Sequence, residues 1–304
     1  MSSSQESRTR QFRLNYGATI NNLPADQTVR VWVPIAQSSV WQDIELQSSK
    51  LPAKLQQYRE KQHENQIGYF EFNSTEATTE FKLAYDVNRK EAHPTKNDQK
   101  LNTRQKEAYL QANQMVPIAG KPVELLTGKK LSGNTIEIGQ ALYEIVESYM
   151  TYDKSQPGYG NGDVIWACSS KTGNCTDFHS LFISLARNQG IPARFEIGFP
   201  LPADQSKGKI GGYHCWAWFY TEENGWIAVD ISEADKHPEM KEYYFGRLTP
   251  DRVAFSTGRD IELVPESKNG PLNYFVYPHV EVDGKLWPQK NIELSLGFEN
   301  LTSK

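Results

Sequence analysis

The sequence predicts an α+β protein, with a β-rich N-terminal domain followed by a mixed core in which a cysteine-bearing helix precedes three strands. Three observations carry this. Short alternating segments fill residues 12–86. Helical periods occupy Ile138–Tyr149 and Cys175–Arg187, and aromatic, β-branched segments follow between Ala193 and Ile231.

Residues 1–11 form a polar tail. Val29–Pro34, Tyr69–Phe72 and Phe81–Tyr85 alternate between polar turns, which predicts a β-sandwich-like domain over 12–90. Residues 91–105 are charged, carry one proline and show no period, so they read as a linker. A second domain then spans 106–304, with its core at 136–232 and a β-rich C-terminal tail. Ile138, Ala141, Leu142, Ile145, Val146 and Tyr149 recur at three- and four-residue steps and predict an amphipathic helix. Gln156–Gly162 holds three glycines and reads as a loop forming one lip of a cleft.

In the next helix Phe178, Leu181, Phe182, Leu185 and Ala186 share a face, Asn174 is the N-cap, and Gly190 and Pro192 end it. Strands are expected at Ala193–Phe199, Tyr213–Tyr220 and Gly225–Ile231, the last two joined as a hairpin through Thr221–Asn224. The loop 200–212, rich in Gly, Lys and Pro, is placed to cover the site. In the tail Asn273–Tyr277 reads as strand-like, and Val280–Lys285 contains a hairpin turn.

Composition narrows the function. A net charge of −4 with no basic block gives no footprint for nucleic acid. No run of eighteen apolar residues occurs, so no membrane span is expected. Met1–Arg10 lacks a signal peptide's apolar core. The protein is thus cytoplasmic if this N-terminus is native, and periplasmic or secreted if a signal was removed. Three cysteines are too few for a disulfide scaffold. No feature sets an oligomeric state.

Cys175 in a first helical turn meets converging amide dipoles, which lower a thiol's pKa and favour the nucleophilic thiolate. Such a nucleophile needs a base, and the base needs an orienting partner. If the hairpin turns about Glu222, Tyr220 pairs with Asn224 and His214 stands opposite Asp230, on the same face of the sheet. Trp216 and Trp218 share that face, with Trp216 a candidate for the site wall. Cys175, His214 and Asp230 thus form a coherent triad. His179, one turn after Cys175, is a rival base or a supporting group. Asp177 suits the positive end of the helix. Cys168 and Cys215 read as packed thiols or as a redox partner for Cys175. A zinc set drawn from Cys175, His179, His214 and Cys168 or Cys215 lacks a tight ligand motif, and no acidic loop marks calcium.

Four motifs occur in order: Gly173-Asn-Cys175-Thr-Asp177, Arg187-Asn-Gln-Gly-Ile-Pro-Ala-Arg194, His214-Cys-Trp216 and Trp226-Ile-Ala-Val-Asp230. Together they resemble the transglutaminase-like superfamily of papain-related cysteine enzymes, most clearly over 136–232. The N-terminal part and the tail, with Gly258-Arg-Asp260 and Tyr277-Pro278, are similar to bacterial members more loosely. The resemblance implies a papain-like catalytic core that acts without cofactor or metal on a peptide or protein substrate. Cys175 would attack an amide carbonyl to give a thioester, His214 would shuttle the proton, and Asp230 would hold the imidazole. The Cys175 amide would face the oxyanion, with Trp166 and Asn174 as candidates for the second donor. Hydrolysis is the first reading, transamidation of glutamine the second, and a non-catalytic binding module the third. Where many members carry an acidic residue two positions after the His-x-Trp tryptophan, this chain has Trp218, a departure that bears on specificity.

Overall fold

The computed structural model describes residues 8–95 and 100–301. Six strands come first: β1 (Thr9–Ile20), β2 (Thr28–Ile35), β3 (Gln42–Lys50), β4 (Gln56–Arg59), β5 (Gln66–Asn73) and β6 (Thr79–Lys90). The middle holds α1 (Thr103–Leu110), α2 (Thr135–Tyr149), β7 (Thr151–Tyr152), α3 (Val164–Ser170), β8 (Thr172–Gly173) and α4 (Cys175–Asn188). Next come β9 (Ala193–Pro200), β10 (Lys207–Lys209), β11 (His214–Thr221), β12 (Gly225–Val229), α5 (Ile231–Lys236) and β13 (Arg252–Thr257). Three more strands follow, β14 (His279–Val282), β15 (Lys285–Leu286) and β16 (Ile292–Asn300).

The N-terminal strands build two five-stranded sheets, in the orders β10-β16-β1-β6-β3 and β15-β14-β2-β5-β4. Every second residue of β1 from Phe12 to Ile20 is buried, as a strand with one face on a core requires. The sheets meet through contacts such as Phe70 on β5 against Phe81 on β6, with ring centroids 5.4 Å apart. The strands β14, β15 and β16, from the far end of the chain, complete both sheets. β16 runs antiparallel to β1 from Phe12↔Asn300 to Ile20↔Ile292.

The second layer system is a four-stranded antiparallel sheet, β12-β11-β9-β13, with α4 packed upon it. Every residue of β11 is buried. Phe182 of α4 meets Phe219 of β11 edge-on at 6.0 Å. Across α4, α2 buries Leu142 and Val146, two of the positions that carry its period, together with Tyr143 beside them. The α+β class follows directly from this arrangement.

Several local expectations change. The polar stretch 91–105 is structured at both described ends, while 96–99 lie outside the described residues. Ala92 bridges to Leu248, and Thr103–Leu110 is helical behind a capping box of Asn102 and Gln105. That cap gives no apolar period, and Tyr109 is the helix's one buried side chain, so periodicity passed over it. Asn273–Tyr277 is not a strand. Its carbonyls go to side chains instead, Phe275 O accepting from Ser256 Oγ and Val276 O from Tyr16 Oη at 3.2 Å. The strand expected over Gly225–Ile231 stops at Val229, because Asp230 caps α5. The loop 200–212 is tied down by β10, which pairs with β16, and its end at Gly212 reaches the cleft described below. Among the described residues no helix is long and apolar enough to cross a membrane.

Candidate active site

Cys175 opens α4, and two neighbours fix that turn. The Asn174 side chain accepts from Thr176 N at 2.8 Å. The Asp177 carboxylate accepts from Asn174 N at 2.9 Å, closing a capping box. Asp177, fully buried, also accepts from Gly160 N at 2.8 Å and Gly162 N at 2.9 Å. Burial pushes its carboxyl up, against three amide donors that favour the carboxylate. One side chain therefore fastens the glycine loop to the helix start. Gly162 has φ 61°, and a Cβ there would stand 2.5 Å from Ser180 Oγ, so neither backbone nor space admits another residue.

Arg259 holds the same loop from the other side. Fully buried, it donates to Ser180 Oγ at 2.5 Å, Asn161 O at 2.8 Å and Asn273 O at 3.0 Å. Arg259→Met is expected to cost about 3 kcal/mol, as loss of charge-assisted hydrogen bonds does. It should also lower hydrogen-exchange protection at the Gly160 and Gly162 amides, measured by mass spectrometry. Unchanged protection there would remove Arg259 from the positioning of the lip.

His214 begins β11 and Asp230 follows β12. Their hairpin turns one residue later than counted, with Tyr220 opposite Trp226 and Ala217 opposite Val229. The register is thus offset by two, and Asp230 does not stand directly across from His214. The offset is even, so both side chains keep the same face. Asp230 Oδ2 reaches His214 Nε2 at 2.8 Å. The same oxygen accepts from Arg252 Nη1 at 2.8 Å, and Oδ1 accepts from Ser232 Oγ at 3.3 Å and Glu233 N at 3.2 Å.

Electrostatics follow from this burial and pairing. Burial disfavours the Asp230 carboxylate, but the His214 and Arg252 charges outweigh it and hold the carboxyl far below its ordinary range. Burial alone would lower the His214 ring. The Asp230 charge, the Asp230 hydrogen bond and a hydrogen bond to Cys175 instead raise it to about 9. For Cys175 burial opposes ionisation, yet hydrogen bonds with Cys215 and His214 and the His214 charge set it well below an ordinary thiol. Thiolate and imidazolium thus favour each other.

The other predicted residues fall in distinct places. His179 is fully buried, and its Nε2 accepts from Ile231 N at 3.0 Å, leaving the proton on Nδ1. Burial lowers its pKa to about 4, so it stays neutral and supports the α5 turn. Trp216 is fully buried behind His214, its ring 5.9 Å from the imidazole and 4.9 Å from the Arg252 guanidinium, and does not line the cleft. Both polar ends of the Asn174 amide are occupied, Nδ2 donating to Tyr213 Oη at 3.0 Å. The Trp166 indole stands beneath Gly158, where a Cβ would lie 2.7 Å from its Nε1. Cys215 Sγ rests 3.7 Å from Thr176 Oγ1. Among the described residues no three His, Cys, Asp or Glu side chains are grouped to hold a metal ion.

Sequence reasoning missed Arg252, Glu196 and the tyrosines. Glu196 on β9 accepts from both the Trp216 and Trp218 indoles, at 2.6 and 3.0 Å. A carboxylate therefore does stand beside Trp218, supplied by the neighbouring strand. Alternation along 193–199 puts Glu196 opposite in parity to the buried Phe195 and Ile197, which was the available signal. Cys175 lies at the base of a cleft of about 300 Å³, lined by Tyr152, Lys154, Tyr159, Gly160, Asn161, Asn174, Gly212, Tyr213, Tyr274 and Tyr277.

The sequence profile of the transglutaminase-like superfamily matches residues 124–231, which span the Cys175, His214 and Asp230 positions. Residues 124–231 thus match the transglutaminase-like core. An uncharacterized protein of Haemophilus influenzae is 32% identical over 183 residues, covering 50% of this chain and 50% of that protein. The chain thus matches about half the length of that curated relative. Among solved structures, one described as a candidate cysteine protease from Cytophaga hutchinsonii is 16% identical. It covers 96% of this chain and 99% of its own, with a TM-score of 0.57, and shares the fold. The periplasmic domain of TgpA from Pseudomonas aeruginosa is 13% identical over 80% of this chain and 98% of its own, with a TM-score of 0.40. The transglutaminase-like core is the papain-like arrangement of α4 against the β9–β11–β12 sheet. Arg252, Tyr274 and Tyr277 lie outside the matched span, so this chain's own tail finishes the site.

Proposed function

We propose that this protein is a cysteine-dependent enzyme acting on peptide or isopeptide amide bonds, with Cys175, His214 and Asp230 as its triad. The observation that carries the reading is the buried Asp230–His214 bond at 2.8 Å through Nε2, which turns the other ring nitrogen to Cys175. The Cys175 thiolate attacks the amide carbonyl, and the Cys175 N–H at the helix start faces the developing oxyanion. As the tetrahedral species collapses, His214 gives its proton to the leaving amine and a thioester forms. Water then attacks that thioester, His214 accepts its proton, and the acid leaves with the thiolate restored. Asp230 keeps the imidazole oriented and stabilises its charge throughout.

Hydrolysis is preferred to transamidation because Lys154 on the cleft lining disfavours an incoming lysine ammonium. The test is a peptide mixture incubated in H₂¹⁸O with a biotinylated primary amine, with Cys175→Ala as the control. New carboxyls carrying ¹⁸O only in the native protein support hydrolysis. Amine adducts on glutamine would move the reading to transamidation. No Cys175-dependent product, together with a Cys175 unreactive to alkylation, would make the fold a binding module.

A further inference from the structure

We infer that the cleft selects acyl substrates bearing a carboxylate close to the reacting carbonyl, and that Lys154 is the residue that selects them. This deepens the acyl-transfer reading and rests on it. The two sides of the cleft differ in what they leave available. On the wall and tail side the tyrosine tips are used. Tyr213 Oη is shared by Asn174 Nδ2 and Thr176 Oγ1 at 3.0 Å each. Tyr274 Oη donates to Gly160 O at 3.3 Å, and Tyr277 Oη accepts from Tyr213 N at 3.2 Å. These groups hold the cleft's shape, and Tyr213 and Tyr274 have little left for a ligand.

The lip presents a charge instead. Among the described residues Lys154 has no ion pair or hydrogen bond, and its ammonium stands 5.5 Å from the Tyr152 ring centroid. Lys236 lies over the same ring at 4.7 Å but is paired with Glu233. No Asp or Glu lines the cleft. At the base the Cys175 thiolate and the His214 imidazolium balance each other, so the charge an entering carboxylate meets is the unneutralised ammonium at the lip. An entering ammonium meets that same positive charge at the lip as a like charge. Such an arrangement discriminates by charge and steers encounter over roughly a Debye length, about 8–10 Å.

The test uses a matched pair of electrophiles, chloroacetyl-glycine and chloroacetyl-glycinamide, which differ only in the carboxylate. Chloroacetyl-aspartic acid α-amide is a third, so that a terminal and a side-chain carboxylate are distinguished. Rates of Cys175 alkylation are read by mass spectrometry in the native protein, Lys154→Met and Lys154→Arg, all at an exposed loop position. The acid-to-amide rate ratio should fall about fivefold in Lys154→Met, the upper range for one exposed charge pair. It should be restored in Lys154→Arg and shrink with added salt. The acidic probe showing the larger loss identifies the carboxylate source. Equal ratios in the native and Lys154→Met proteins would overturn the inference while leaving the nucleophile intact. Failure of every probe to label Cys175 selectively would remove the triad reading and this inference together.

Discussion

His214→Ala should move the apparent pKa of Cys175 alkylation up by several units, to or beyond the ~8.5 of a free thiol. Burial alone opposes the Cys175 thiolate, and two of the influences that overcome it, the hydrogen bond and the charge, belong to His214. Without the ring, burial prevails. The rate at pH 5 should fall about tenfold or more, even though a more basic thiolate is intrinsically the better nucleophile. Amide turnover should fall about a thousandfold or more, since the leaving amine also loses its proton donor. In the native protein the pH profile should carry an alkaline limb near pH 9, where the imidazolium deprotonates. The sign for stability runs the same way. A ring whose folded pKa is raised adds stability that is full below about 6.5 and lost as pH climbs through about 9. Iodoacetamide kinetics across pH 4–10 on both proteins check this, and an unchanged acid limb in His214→Ala would separate His214 from the nucleophile.

Asp230→Ala is the larger blow to the fold. Asp230 is fully buried and bonds His214, Arg252, Ser232 and the first turn of α5. Its removal strands the Arg252 guanidinium, itself buried, beside a second cation. Breaking a buried pair from one side costs about 3–5 kcal/mol, which lowers the melting temperature by roughly 10 °C in a chain of this size. Because the folded carboxyl lies far below its unfolded value of ~3.9, its contribution is present above that pH and disappears as pH falls toward the folded value. Thermal melts at pH 7 and pH 3 should therefore show a smaller acid penalty in the variant than in the native protein. Asp230→Asn keeps an acceptor for the ring and should fall between the two.

How much could be read in advance depends on the range of the physics. α4, its Asn174 cap and its buried stripe are local matters of period and capping, and they stand where the sequence places them. The His214–Asp230 contact was legible through parity, which survived a turn displaced by one residue. Local patterns do not show what a distant segment will supply. Arg252 lies 22 residues beyond Asp230, and Tyr274 and Tyr277 reach the cleft from an irregular stretch that alternation presented as a strand. The cap at Asp230 also went unread, because the apolar run through Ile231 continues the strand pattern while the carboxylate ends it.

The interleaving of the sheets has a consequence for biosynthesis. The polypeptide leaves the sandwich after β6, makes the whole cysteine-bearing core, and only later returns with β14–β16. On the ribosome, Cys175, His214 and Asp230 emerge while β1 and β2 each still lack the neighbour that pairs their open edge. Tyr274 and Tyr277, which frame the cleft, arrive after all three. A translation arrest before residue 279 would therefore release a chain that has its thiol but two unsealed sheets, a form prone to sticking to others and to proteolysis. The thiol-bearing cleft and the closed sandwich thus both wait for residues 274–300.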